Sequence, residues 1–190
     1  MPFREINVRT QEQAAIELFN LVLRSTSTPD VRRAAIKIIT DCDSRDDMCE
    51  LKAIYDAVKH GTPYVKGLKN GVKYLTDPDG SDPEGNDYYT SPARLLEMCA
   101  DGACAEDCDG HSVLNAALAM MLGFQVGLRI WKPAGGKYYE HVYAVVGYPK
   151  LSPTKAVAMD TTVDEAYVGW EPRDGSVKTI ALPKQKWAGV

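Results

Sequence analysis

The sequence predicts an α+β protein in which helices come first, strands follow, and one apolar helix stands between them. Three observations carry this. Apolar residues recur at helical spacing through the first third of the chain. The run from Cys108 to Leu122 is apolar enough for a buried helix and meets a stop signal at Gly123. Behind it come short β-rich runs divided by turn residues such as Pro133-Ala134-Gly135-Gly136. Helices followed by sequential strands are the pattern of an α+β architecture.

The elements follow in order. Thr10 and Gln13 form a capping-box pattern ahead of Ala14, Ala15, Leu18, Phe19, Val22 and Leu23. Thr28-Pro29 supplies a cap and a first-turn proline for a second helix, with Val31, Ala34, Ala35, Ile38 and Ile39 as its apolar face. Ser44, Asp46 and Asp47 open a third helix that Gly61 closes. Residues 77–87 form an acidic, turn-rich loop, and Ser91-Pro92 starts a short helix. Strands are expected at Phe124–Trp131, Tyr138–Val146, Lys155–Asp160, Tyr167–Trp170 and Val177–Leu182. One domain is expected over residues 1–190, with a helical part (1–61) and a core (62–190).

Composition narrows the functional classes. Among 190 residues, 45% are apolar and 25% charged, the balance of an ordinary globular chain. The formal net charge of −4 gives no electrostatic footprint for nucleic acid. No run approaches the ~20 apolar residues needed to span a bilayer, so no membrane partner is expected. Met1 to Ile6 lacks the basic and apolar regions of a signal peptide, so a cytoplasmic location is expected. Five cysteines, an odd number, argue against a closed disulfide framework.

The chemistry concentrates at Asp107-Cys108-Asp109-Gly110-His111-Ser112. A cysteine at a helix start meets unpaired N–H groups and the positive end of the helix dipole. Both favour the thiolate, and the cysteine's own N–H can serve a developing oxyanion. Asp107 and Asp109 oppose this, so a cationic partner is required. His141 is the natural one, on a strand whose alternation puts His141, Tyr143 and Val145 on one face. Asp160 ends the next apolar run, where a carboxylate can hold the far ring nitrogen and fix its tautomer. The candidate catalytic residues are therefore Cys108, His141 and Asp160, with no metal or cofactor.

The stretch resembles the transglutaminase-like superfamily, in particular its small bacterial and phage-type members. The resemblance is carried by Asp107-Cys108-Asp109, Ser112-Val113-Leu114, Leu122-Gly123-Phe124, Arg129, His141-Val142-Tyr143 and Asp160-Thr161-Thr162, in that order. Tyr64-Val65-Lys66 and Tyr89-Thr90-Ser91-Pro92 look like its lead-in, and Thr161 stands where proline is commoner. It implies a papain-like core, a central helix packed on an antiparallel sheet. It also implies an acyl-transfer enzyme acting on amide bonds of a protein or peptide, by hydrolysis, transamidation or deamidation. Some relatives lose the triad and serve as scaffolds. The alternative is thus a non-catalytic binding or structural protein, such as a phage virion or assembly component.

Other residues carry plainer expectations. His111 is read as a solvated or supporting group, with a smaller chance of being the base, and His60 as satisfying helix-end carbonyls. Cys99, Cys104, Cys108 and His111 match no standard zinc spacing, although four N/S ligands would suffice. Cys104 is a second candidate, as a redox partner of Cys108. Cys42 and Cys49 are expected to share a buried helix face. The carboxylates of the acidic loop depart from the EF-hand order and read as a solvated turn. Trp131 either lines the acyl site or packs. Glu140 is expected on the opposite side of its strand from His141, and Arg129 in a salt bridge at a sheet edge.

Overall fold

The computed structural model describes residues 10–75 and 89–181; the acidic loop at 77–87 lies outside the described residues. Helix α1 (Gln11–Ser25) starts at Thr10, whose hydroxyl accepts from the Gln13 N–H at 3.2 Å. Helix α2 (Pro29–Ile38) starts on its proline, and Thr28 makes no side-chain cap bond. Helix α3 (Asp47–Lys59) is capped by Asp46, whose carboxylate accepts from the Cys49 N–H at 2.9 Å. An ionised cap adds charge to the hydrogen bond at the positive helix end, which is why it prevails over Ser44. The other end is closed by the His60 backbone N–H on Asp56 O, not by the imidazole. Strand β1 (Lys73–Tyr74) pairs in parallel with β2 (Ala105–Glu106), and α4 (Pro92–Ala100) lies between them in sequence.

Helix α5 (Cys108–Met121) is the centre of the molecule. Residues Gly110 to Ala119 are all buried. Helices α1 to α4 pack on it from one side, and the sheet packs from the other. A helix buried on every side can be satisfied only by such a central position. Gly110 belongs to the same packing: a Cβ there would lie 2.6 Å from the side chain of Glu106, which covers the first turn.

The sheet comprises β3 (Val126–Pro133), β4 (His141–Tyr148), β5 (Lys155–Met159) and β6 (Gly175–Ala181), in spatial order β5-β4-β3-β6 with all neighbours antiparallel. Alternation divides its faces. Val126, Leu128, Ile130, Val142, Ala144, Val146, Val157 and Met159 join Val113, Leu114, Ala117 and Leu118 of α5 in the main core. Tyr143, Val145 and Ala158 form a smaller cluster on the other face, against which Trp131 packs. Truncating a fully buried leucine such as Leu114 to alanine costs about 2–5 kcal/mol in such a core.

Several expectations are corrected. Residues 167–170 are a turn, not a strand: Gly169 has φ 92°, and Trp170 N–H bonds back to Tyr167 O at 2.8 Å. Strands β3 and β4 start later than expected, because Phe124 N–H is held by Ala119 O of α5 and residues 134–140 are spent on turns. Arg129 is not at a sheet edge. It lies on β3, between β4 and β6, 5% exposed, with Nη1 2.5 Å from Glu171 Oε1 and Nε bonded to Thr179 Oγ1. Four cysteines are paired, Cys42 with Cys49 and Cys99 with Cys104. Cys42 lies beyond α2, so those two cysteines are bridged across a loop rather than sharing a helix face.

Candidate active site

Polar residues at Cys108, His111, Ser112 and Asn115 recur at intervals of three and four along α5. That spacing puts them on one stripe of an otherwise apolar helix. Burial makes each of them find a partner, and the partners fix the site.

Cys108 is the first residue of α5, behind Asp107, whose carboxylate accepts from the N–H groups of Asp109 (2.9 Å) and Gly110 (3.2 Å). Ser112 ties this turn to β4: its hydroxyl lies 2.6 Å from Cys108 O and 2.9 Å from Val142 O. The turn that carries Cys108 is thereby fastened to Val142, the neighbour of His141 at the start of β4. Cys108 and His141 line one cleft of about 180 Å³ with Asp109, Glu140, Val142, Tyr89 and Ile130. Ala14, Ala15 and Leu18 of α1 form its far wall. The Gln11 side chain donates to Tyr139 O (2.5 Å) and accepts from Tyr139 N–H (2.8 Å), which closes that wall against the turn before β4.

Strand register delivers the carboxylate. Ala144 pairs with Met159, so the chain leaving β5 runs toward the His141 end of β4. His141 Nε2 lies 2.7 Å from Asp160 Oδ2. Asp160 Oδ1 accepts from the Thr162 hydroxyl (2.7 Å) and the Thr162 N–H (3.1 Å), so both carboxylate oxygens are committed. Asp160 is 1% exposed. Burial alone would raise its pKa, but the hydrogen bond and charge of His141 and the two bonds from Thr162 outweigh this and hold it below the usual value. With Nε2 engaged, Nδ1 is the imidazole nitrogen left for a further partner.

The thiol departs from expectation. Its pKa is raised well above the ordinary value, first by burial and then by Asp109 and Asp107. The Val142 N–H pulls the other way and does not prevail. Cys108 Sγ lies 3.8 Å from Asp109 Oδ1, within reach of an S–H donor. The expected resting thiolate is therefore corrected to a neutral thiol: local carboxylates and burial exceed the helix-end effect, which is worth roughly 0.3–1 kcal/mol at a surface.

His111 is corrected as well. It is not solvated but 1% exposed, with Nδ1 2.9 Å from Thr161 Oγ1 and its ring edge-on to Tyr74. Burial lowers its pKa to about 4, against the Lys73 backbone and the Asp160 charge. It does not line the cleft. Glu140 does, contrary to expectation, because it precedes β4 and escapes strand alternation. Trp131 packs on the other face of the sheet. The Cys99–Cys104 disulfide removes both the zinc arrangement and the redox pairing of Cys104 with Cys108. Among the described residues, no group of three or more His, Cys, Asp or Glu side chains is placed to hold a metal, and no helix is long and apolar enough to cross a membrane. Sequence reasoning missed Thr161, Thr162 and Asn115 as site residues. The polar stripe on an apolar helix and the paired threonines after Asp160 were the signals available.

Solved structures similar to this chain include the following three. Legionella pneumophila LapG is 16% identical over 80% of this chain and 75% of its own, with a TM-score of 0.44. Its calcium-bound form is 14% identical over 93% and 92%, with a TM-score of 0.49. A TGase is 18% identical over 84% of this chain and 35% of its own, with a TM-score of 0.41. No family model and no curated protein matches the chain. All three TM-scores lie below 0.5, so the α+β fold rests on the chain's own topology of a central helix against an antiparallel sheet.

Proposed function

We propose that the chain is a transglutaminase-like cysteine acyl-transfer enzyme acting on amide bonds of a protein or peptide. Cys108 is the nucleophile, His141 the base and Asp160 the residue that orients it. The observation that carries this is the 2.7 Å contact of His141 Nε2 with a buried Asp160, while His141 shares a cleft with the free thiol at the start of α5.

The raised thiol pKa sets the order of steps. Deprotonation accompanies attack instead of preceding it. Sγ bonds to the carbonyl carbon as the S–H proton passes to His141 Nδ1. The imidazolium forms against Asp160, which is already ionised and already aligned. The N–H of Cys108 at the helix start is suited to the oxyanion. Collapse expels the amine, which takes the proton from Nδ1, and leaves a thioester. Water or a second amine then attacks with His141 again as base, so hydrolysis and transamidation share every residue and differ in the acceptor.

The test is a pool of peptides containing glutamine and varied backbone sequences, incubated with and without a primary amine and read by mass spectrometry. New termini report hydrolysis, and amine adducts report transamidation. Both should vanish in Cys108→Ser. A folded wild type that yields neither product, and no acyl adduct on Cys108, would leave the scaffold alternative standing.

A further inference from the structure

We propose that Thr161, held by His111 and Asn115, is a positioning residue that ties the base's carboxylate to the nucleophile's own helix. The inference rests on the acyl-transfer reading above and concerns residues outside its triad. The Thr161 hydroxyl stands at a junction: Asn115 Nδ2 donates to Oγ1 at 2.9 Å, and His111 Nδ1 lies 2.9 Å from the same atom. Asn115 Nδ2 also donates to His111 O at 3.0 Å, one turn back on α5. All three side chains are buried, at 0% to 4% exposure, so water does not compete for these bonds.

The geometry shows what this tie adds: Lys59 of α3 holds the segment further on, at Val163 O (2.8 Å) and Asp164 O (3.0 Å), whereas Thr161 is fastened beside Asp160 itself. Asp160 lies one residue beyond the last paired residue of β5, so strand hydrogen bonds do not hold it. Thr162 fixes the carboxylate's rotation, but it belongs to the same unpaired segment and moves with it. Thr161 connects that segment to another element. The element it reaches begins with Cys108, so thiol and carboxylate are referenced to one rigid body. Asn115 fills one lone pair of Oγ1, and the remaining hydrogen-bonding capacity of the hydroxyl meets Nδ1 of His111, a histidine that burial holds neutral at ordinary pH.

The probe is p-nitrophenyl acetate, whose acyl transfer to Cys108 releases p-nitrophenolate, followed as a pre-steady-state burst over pH. Thr161→Val keeps the shape and removes the hydroxyl. It should slow acylation by roughly 10- to 100-fold, the scale of a misplaced catalytic group, without weakening ester binding. Thr161→Ser, which returns the hydroxyl, should restore the rate. A wild-type burst that is absent, or indifferent to His141→Ala, sinks the acyl-transfer reading and this inference with it. A burst that needs His141 but is unchanged in rate by Thr161→Val, or not restored by Thr161→Ser, sinks this inference alone. If Thr161→Val does not fold, imidazole ¹⁵N shifts of the wild type decide: a single fixed tautomer at His111 supports the tie, and averaged tautomers overturn it.

Discussion

Two histidines stand near Cys108 and meet opposite surroundings. His111 follows it by three residues on the same helix, yet its ring turns inward to a neutral hydroxyl and is sealed by Tyr74. His141 is distant in sequence, yet it borders the cleft and holds a buried carboxylate. A base must gain and lose a proton during turnover. A carboxylate partner stabilises the protonated ring, whereas a hydroxyl in an apolar pocket leaves it unsupported. The partner, not the proximity in sequence, separates the candidate base from the buried histidine.

The largest expected effect tests that separation directly. His141→Ala should lower amide turnover by about 10⁴-fold, the scale seen when a triad member is lost. His111→Phe, which keeps a ring and loses the hydroxyl bond, should cost about tenfold through misplacement alone. Equal losses in the two variants would erase the distinction. Turnover by both would be measured on the same peptide product, with melting curves to confirm folding.

The second effect is on stability. His111 titrates at about 4 when folded and near 6.5 when unfolded. The unfolded chain binds the extra proton between those values, so stability rises with pH across that window and is lost as pH falls through it. The difference is on the order of 3 kcal/mol. Asp160 has the opposite origin: its folded pKa is depressed, so its contribution persists down to its unfolded value near 4 and is lost below it. Urea midpoints from pH 7 to 4 should fall steeply in the wild type and less steeply in His111→Phe. Parallel slopes would mean that His111 is solvated after all.

The cysteines divide as sharply as the histidines. Four are paired and Cys108 is free. Under denaturing conditions without reductant, one iodoacetamide should add per chain, at Cys108. Removing either disulfide by paired Cys→Ala changes should cost about 2 kcal/mol, as expected for such short loops. Structural disulfides persist in oxidising compartments and are rare in reducing ones, so the same count tests the cytoplasmic expectation. Addition of five equivalents would mean that all the cysteines are reduced.

Much of this could be read from sequence, for physical reasons. The apolar run of α5 had nowhere to go but the centre, and the β-rich runs between turns had to pair. His141 and Asp160 were legible because strand alternation and adjacency are short-range rules. What escaped was decided by three-dimensional burial. The direction of the Cys108 shift depends on how much water and how many carboxylates surround the sulfur. Glu140 escaped because β4 starts three residues later than expected, at His141, and leaves Glu140 outside the strand and its alternation. The disulfides escaped because an odd count of cysteines requires only that one stay unpaired and is silent about the other four. The Tyr167–Trp170 strand failed because Gly169 supplies a turn conformation that aromatic β-propensity cannot override.

The smallest effect concerns the wall facing both catalytic candidates. Gln11 makes two bonds to the Tyr139 backbone, and Tyr139, Glu140 and His141 are consecutive along the cleft. These bonds are exposed, so water replaces them readily, and Gln11→Ala should cost about 1 kcal/mol of stability or less. Its effect on catalysis should fall on substrate affinity. Gln11 lines the cleft and bonds to the Tyr139 backbone, not to Cys108, His141 or Asp160. KM should therefore rise a few-fold with kcat unchanged, the signature of lost uniform binding. A fall in kcat with KM unchanged would instead mean that the turn before β4 governs the placement of His141. The base would then depend on α1 as well as on Asp160.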